Sequence, residues 1–181
     1  QPTIAIIPGP PTLFKAILPT ERSLGTAFAL CMKGEDHWGN PSDLCDQTFK
    51  VVANMTVAGL PDAITFAKGA FAAIADDLRM QTTGDLIIEL VDGEGGTVAR
   101  SNPCRFSENA ALLPYWGYLH GQSEETIGTN SARGFYEFAR DKAFLDICVH
   151  QGNDFQISNE FWQHLNELSA EFTVDDSFIV F

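Results

Sequence analysis

The sequence predicts an α+β chain in two parts: a β-sandwich of the immunoglobulin-like kind over residues 1–110, and a parallel α/β region over residues 111–181. Two observations support this. Short apolar runs bounded by turn residues recur through the first part, which is the pattern of a β-sandwich. After Pro114 the apolar runs alternate with segments of helical period, which indicates parallel strands joined by helical crossovers.

The first part contains three apolar runs separated by turn signals. They cover residues 23–32, 49–57 and 86–91. The last run is followed by Asp92-Gly93-Glu94-Gly95-Gly96, which predicts a β-hairpin. Residues 67–78 are rich in alanine, and alanine favours helix. Because Gly69 and the surrounding strand pattern oppose a helix, we predict a strand there.

The second part reads as strand, helix, strand, helix, strand. Apolar residues between Ser131 and Ala143 recur at spacings of three and four, which predicts one face of a helix. Ser158 is placed to cap a second helix, whose predicted core side carries Phe161, Trp162, Leu165 and Leu168. The predicted strands are residues 115–119, 144–149 and 177–181.

Composition and charge exclude several classes of protein. The 181 residues are 45% hydrophobic and 19% charged, which is a globular composition. The net charge of −13 leaves no basic patch for nucleic acid. No apolar stretch reaches the roughly 18 residues that a membrane span needs. The acidic excess is concentrated in residues 111–181, which carry a net charge of −8.

Four cysteines occur without the CxxC spacing of a zinc motif. Cys31 and Cys45 bracket a turn-rich stretch and are candidates for a disulfide, whereas Cys148 lies in an apolar run and is expected to be a core thiol. The chain starts at Gln1 without an initiator Met. An arbitrary boundary and a mature end left by processing both fit, and a periplasmic or secreted location is slightly favoured.

Candidate site residues follow the first two predicted parallel strands. His120, Gln122 and Glu125 come after the first, and His150, Asn153 and Asp154 after the second. Ligands bind at the carboxyl ends of parallel strands, and imidazole with carboxylate suits zinc, iron or manganese. Each residue also has a structural interpretation. A single histidine can simply hydrogen-bond, Asp154 can cap a turn, and Gln122 can hold its loop.

These motifs resemble the family known as domain of unknown function 3604, a branch of the polymerase-and-histidinol-phosphatase (PHP) superfamily. The resemblance covers nearly all of residues 114–172, and residues 36–41 and 101–103 resemble the family's β-rich N-terminal region. The matching stretches are 115–123, 128–131, 138–141, 144–146 and 150–157.

The resemblance implies the first βαβαβ part of a distorted PHP-like (β/α) barrel, with a metal site at the strand ends and hydrolytic chemistry, often on phosphoesters. His120 falls at the first histidine of the His-x-His motif. The sequence departs from the family pattern at Tyr118, Gln122, Gly152 and Asn153, which replace usual ligands. His150 and Asp154 are candidates to replace them.

The leading functional hypothesis is therefore the N-terminal portion of a metal-dependent hydrolase acting on a small-molecule phosphoester or related ester. A divalent zinc, manganese or iron ion near His120, His150 and Asp154 would activate water. Gln122, Asn153 and Glu125 would contact the substrate. The alternative is a noncatalytic binding protein, in which the β-sandwich mediates attachment and the strand-end site binds a ligand without turnover.

The last predicted strand leads to a prediction about partners. Ser177-Phe178-Ile179-Val180-Phe181 is nearly continuous apolar sequence, and an open strand edge invites pairing. We therefore expect a second polypeptide to complete the barrel. This is either the C-terminal remainder of the same precursor, carrying the later metal ligands, or another chain.

Overall fold

The computed structural model describes residues 7–181. Contacts within the chain divide it into two compact units, Gln1–Pro114 and Tyr115–Phe181. Each unit has a hydrophobic core of its own. We describe them separately as the first and second unit.

The first unit contains ten strands among its described residues. They are β1 Leu13–Ile17, β2 Glu21–Ser23, β3 Phe28–Glu35, β4 Thr48–Ala53, β5 Ala63–Thr65, β6 Ala72–Leu78, β7 Gly84–Leu86, β8 Ile88–Val91, β9 Thr97–Arg100 and β10 Cys104–Ser107. The alanine-rich segment is a strand, β6, as predicted. Asp92 forms the predicted turn between β8 and β9, because its carboxylate accepts the backbone N–H of Glu94 at 3.0 Å and of Gly96 at 2.7 Å.

These strands form three small sheets, with orders β1-β3-β6, β2-β10-β7 and β5-β4-β8-β9. Alternate residues of the strands point into one core, which is the period of two that a strand imposes. Phe14 of β1 meets Phe49 of β4 edge to face, with ring centroids 4.7 Å apart. The first and third sheets therefore share their apolar side chains across the middle of the unit.

The second unit contains three strands and two helices. They are β11 Gly117–Gly121, α1 Ala132–Asp141, β12 Ile147–His150, α2 Asn159–Phe172 and β13 Ile179–Val180. Serine hydroxyls cap both helices: Ser131 accepts the N–H of Gly134, and Ser158 accepts that of Phe161, each at 3.1 Å. The strands pair in parallel in the order β11-β12-β13.

The two faces of this second sheet differ. Cys148, Phe178 and Val180 are buried in a core with Tyr136 of α1 and Leu168 of α2. The neighbours Ile147 and Ile179, paired across β12 and β13, lie outside that core and are only partly buried. The helices thus cover one face. Whether another polypeptide covers the other face stays a prediction.

The predicted fold class is wrong. We expected a two-sheet immunoglobulin-like sandwich followed by part of a PHP-like barrel. The described residues are instead mostly β, 36% strand and 14% helix, in several small sheets of which none closes. A barrel needs about eight strands of matched tilt and stagger. The second unit has three paired strands, β11, β12 and β13, which form an open sheet.

The structure also bears on the predictions for the disulfide, for Cys148 and for Trp162. No disulfide joins Cys31 to Cys45, since the four cysteines are all thiols. Cys148 is buried, as expected for a core thiol. Trp162 is 59% exposed on α2, so its predicted core position is wrong. Among residues 7–181, no helix is long and apolar enough to cross a membrane.

One carboxylate organises the turn after β3. Asp36 accepts the backbone N–H groups of Gly9, Trp38 and Asn40 and the side-chain amide of Asn40, at 2.9–3.2 Å. Hydrogen bonds from the Asn40 side chain, then from Gly9, lower the pKa of Asp36 from 3.8 to about 2. Because the folded pKa is depressed, this stabilisation is complete above pH 4 and is lost as the pH falls towards 2.

We predict that Asn40→Ala raises the pKa of Asp36 and moves acid unfolding of the first unit to higher pH. The physical reason is the loss of two donors to the ionised carboxylate. Carboxyl NMR titration measures the pKa, and circular dichroism measures unfolding. Asn54→Ala is the control, because the Asn54 side chain hydrogen-bonds to the backbone of Asp85 and Ile87 and not to a carboxylate. An unchanged Asp36 titration in Asn40→Ala would contradict the assignment.

Candidate functional site

Parallel pairing brings the carboxyl ends of β11 and β12 together. Gly121 lies opposite His150 in the register, and the N–H of Gln151 donates to the carbonyl of Gly121 at 2.7 Å. The two loops that follow lie close to each other, since a Cβ added to Gly152 would lie 3.6 Å from Cγ2 of Thr126. We name the six predicted residues at this edge, His120, Gln122, Glu125, His150, Asn153 and Asp154, the carboxyl-end site.

His150 is held by a neighbouring serine. Its Nε2 lies 2.8 Å from Oγ of the fully buried Ser123. The ring is flanked edge to face by Phe135 and Phe161, with centroids 6.4 and 5.6 Å away. Burial lowers the pKa of His150, while the Glu125 carboxylate acts in the opposite direction. The imidazole is therefore neutral at pH 7.

Two other members of the carboxyl-end site are used in local hydrogen bonds. Oε1 of Gln122 accepts the hydroxyl of Thr126 at 2.6 Å. Nδ2 of Asn153 donates to Oε1 of Gln156 at 2.8 Å. Both side chains thus hold their own loops, which is the structural interpretation that the sequence left open for Gln122.

The remaining three members are exposed. His120 and Asp154 make no hydrogen bond or ion pair with any residue from 7 to 181, and Glu125 interacts only electrostatically with His150. No hydrogen bond or ring contact joins His120 to His150. The structure therefore places the six residues at one sheet edge without bringing their polar atoms together.

The described residues offer few donors for a metal ion, and metal binding at the carboxyl-end site stays a prediction. Among residues 7–181, no group of three or more His, Cys, Asp or Glu is arranged to hold one. Nδ1 of His150 is buried and has no hydrogen-bond partner, which is a property of a metal ligand, but it is a single donor packed beside two phenylalanines. We derive no chemical step through a metal.

Glycines fix the loops of the carboxyl-end site in place. A Cβ on Gly128 would lie 2.6 Å from the carbonyl oxygen of Gln122 and 2.8 Å from Cα of Ser123. A Cβ added to Gly121 would collide with Phe135, and one added to Gly152 would collide with Ile157. The loop after β11 is therefore packed against itself and against α1, which keeps Ser123 beneath His150.

A pocket lies at the opposite ends of the same strands. Tyr115, Asp146, Ile147, Asp176, Ser177 and Ile179 line a cavity of about 230 Å³, which we name the amino-end pocket. Ile147 and Ile179 belong to the face of the sheet that the helices leave open. Oδ2 of Asp146 accepts the N–H of Trp116 at 2.7 Å. Asp176 has a φ of 61°, in the left-handed region.

Sequence reasoning missed this pocket because it looked only at the carboxyl ends of the strands, where α/β proteins usually bind ligands. A signal was nevertheless present. Asp146 immediately precedes one apolar strand, and Asp175-Asp176-Ser177 precedes the next. In a parallel sheet, residues that precede neighbouring strands meet at one edge.

No protein-family model matches the chain, and no curated protein matches it. The comparisons therefore assign neither family nor function, and the resemblance noted from the motifs stays a prediction.

We predict that Gly128→Ala lowers the free energy of unfolding of the second unit by about 1–3 kcal/mol, the usual cost of overpacking. The added methyl group would press on backbone atoms, which cannot rotate away. Urea denaturation measures the change. Gly93→Ala is the control, because nothing lies within 4 Å of a Cβ there. Equal stability of both variants would show that the loop is not packed as described.

Proposed function

We propose that this chain is a ligand-binding protein without catalytic turnover, and that its ligand is a small organic cation with an apolar body. The observation that carries the proposal is the amino-end pocket, which combines two carboxylates with two isoleucines. The carboxyl-end site gives further support, because internal hydrogen bonds occupy three of its six polar side chains, Gln122, His150 and Asn153.

The pocket matches the two ends of such a ligand. Ile147 and Ile179 offer apolar surface to a hydrocarbon stem, and burying that surface contributes about 25 cal/mol per Å². Asp146 and Asp176 also line the pocket, and their carboxylates would accept hydrogen bonds from an ammonium group. Oδ2 of Asp146 accepts the N–H of Trp116, and no hydrogen bond to its Oδ1 is present among residues 7–181. Tyr115 adds an aromatic wall, which attracts cations.

The net charge of the second unit and the volume of the pocket indicate which class of ligand would bind. Residues 111–181 carry a net charge of −8, and such a field concentrates cations near the surface. The volume of about 230 Å³ is below the range of roughly 300–1,000 Å³ that drug-sized ligands occupy. A simple alkylamine therefore fits better than a nucleotide or an oligosaccharide.

We predict that butylamine binds the amino-end pocket and that neutral butanol binds it more weakly. Asp176→Asn should weaken butylamine binding about 2- to 5-fold, the range for one exposed charge pair. Asn keeps the backbone conformation, since it tolerates a positive φ. Amide chemical-shift titration in ¹⁵N-labelled protein measures the affinity at Ile147 and Ile179.

Asp175→Asn is the matched control, because Asp175 is the adjacent exposed carboxylate and does not line the pocket. Its butylamine affinity should equal that of the wild type. Equal losses in Asp175→Asn and Asp176→Asn would mean that the amine senses only the overall charge. That result, or equal affinity for butanol, would refute the proposal.

One observation favours a second candidate, the metal-dependent hydrolase. Nδ1 of the neutral His150 is buried without a partner, and a second bond on Nε2 is what orients ligating histidines. The hydrolase requires bound metal in the purified protein and turnover of a phosphodiester such as bis(p-nitrophenyl) phosphate. We expect neither from the proposed binding protein. Metal-dependent turnover that falls in His120→Ala would establish the hydrolase instead.

A further inference from the structure

A row of three charged side chains crosses the sheet β2-β10-β7 of the first unit. Glu21 of β2 lies opposite Arg105 of β10 in the parallel register, and Asp85 of β7 lies opposite Arg105 in the antiparallel register. Residues that pair across neighbouring strands point to the same face of a sheet. Cys104 and Phe106, on either side of Arg105, are buried in the core, so the charged row lies on the outer face.

A pocket of about 250 Å³ lies at this row, and we name it the Arg105 pocket. It is lined by Thr20, Glu21, Asp85, Pro103 and Arg105. Two carboxylates and a guanidinium therefore share one lining, in which proline is the one apolar residue. The volume is below the range of roughly 300–1,000 Å³ that drug-sized ligands occupy, so the pocket suits a smaller and more polar molecule.

Arg105 uses one side of its guanidinium and leaves the rest available. Its Nε donates to Oδ1 of Asp85 at 3.2 Å, and this is the only hydrogen bond of the Arg105 side chain among residues 7–181. The bond to Asp85 raises the pKa of Arg105, and the charge of Glu21 acts in the same direction. The two terminal nitrogens thus carry N–H donors that the described chain does not use, and such donors match the two oxygens of a carboxylate.

Glu21 carries the second unused group of the Arg105 pocket. Its Oε1 lies 3.5 Å from Oγ of Ser107, which is long for a hydrogen bond, and residues 7–181 offer its carboxylate no other. No ion pair joins Glu21 to Arg105 in that part of the chain, although both line the pocket. A carboxylate and a guanidinium that share a pocket without pairing can each receive an opposite charge.

The signs of these charges disfavour ligands with a single charge. An anion attracted to Arg105 meets the carboxylates of Glu21 and Asp85, and a metal cation attracted to the carboxylates meets the guanidinium. A molecule that carries an ammonium and a carboxylate close together satisfies both groups. Neighbouring strands lie about 4.8 Å apart, so the two charges of the ligand must be separated by only a few bonds.

We propose that the Arg105 pocket binds a free α-amino acid with a small side chain. The terminal nitrogens of Arg105 donate to the ligand's carboxylate, and the carboxylate of Glu21 accepts from its ammonium. Asp85 holds the guanidinium in place through Nε, which leaves the terminal nitrogens for the ligand. The site lies within the first unit, and the proposal does not depend on the amino-end pocket.

The experiment compares L-alanine with two analogues that each lack one of its charges. L-lactate has a hydroxyl in place of the ammonium, and L-alaninamide has a carboxamide in place of the carboxylate. Amide chemical-shift titration in ¹⁵N-labelled protein at pH 7 follows binding at Glu21, Asp85 and Arg105. We expect L-alanine to bind about 2- to 5-fold more tightly than either analogue, the range for one exposed charge pair.

Two variants assign each charge of the ligand to one side chain. Arg105→Gln should lose the preference for L-alanine over L-alaninamide, and Glu21→Gln should lose the preference over L-lactate. Arg100→Gln is the matched control, because Arg100 is also an exposed strand arginine beside a carboxylate, that of Glu89, but does not line the Arg105 pocket. Its affinity for L-alanine should equal that of the wild type.

Each of the following results would overturn the proposal. If L-alaninamide binds the wild type as tightly as L-alanine, the pocket takes any small cation, and if L-lactate does so, it takes any small anion. Equal losses of L-alanine affinity in Arg100→Gln and Arg105→Gln would mean that the ligand senses only the overall charge. Amide signals at Glu21, Asp85 and Arg105 that do not move up to the solubility limit of L-alanine would show that no site exists.

Discussion

The hydrogen bond between Ser123 and His150 is the contact on which the second unit's carboxyl edge depends. It joins the loop after β11 to the last residue of β12. Ser123 is fully buried, and His150 is partly buried, with its Nδ1 inaccessible to water. Losing it would leave the buried Ser123 hydroxyl without this partner, at a cost of roughly 1–3 kcal/mol for an unsatisfied buried group. Gly128 permits the same contact. A side chain there would press on the backbone of Ser123 and force it away from the imidazole ring.

This arrangement determines what the two ends of the sheet are able to do. At the carboxyl edge, His150, Gln122 and Asn153 are committed to holding loops, and the exposed groups do not converge. At the amino edge, the turn before β13 holds Asp176 beside the two isoleucines and Asp146. Three of the predicted side chains at the carboxyl end thus hold loops, and a small acidic pocket lies at the amino end.

The sequence predicts local structure in this chain better than global structure. Serine caps, the Asp92 turn and the parallel order of the last three strands follow from rules that act over a few residues, and they are present. The predicted barrel is wrong because a sequence in which strands and helices alternate can form either an open sheet or a closed barrel. Closure depends on strand number, tilt and stagger, which alternation along the sequence does not encode.

For the candidate site, too, the sequence predicts local features but not the contacts between distant residues. The sequence predicts that His120 and His150 follow neighbouring strands, and the register brings those strand ends together. It does not reveal that Ser123 bonds to His150, because the contact spans 27 residues and depends on how tightly the loop folds. Likewise, Trp162 has helical spacing with Leu165, but the position of the sheet decides which side of α2 is buried.

The protonation state of His150 tests the central claim most directly. Long-range ¹H–¹⁵N NMR of the imidazole nitrogens, with and without added zinc or manganese, reports which nitrogen carries the proton and whether either binds metal. The account predicts a neutral ring at pH 7, bonded through Nε2 to Ser123, whose signals do not change when metal is added. A stoichiometric, metal-dependent change at Nδ1 of His150 would contradict it and restore the metal site.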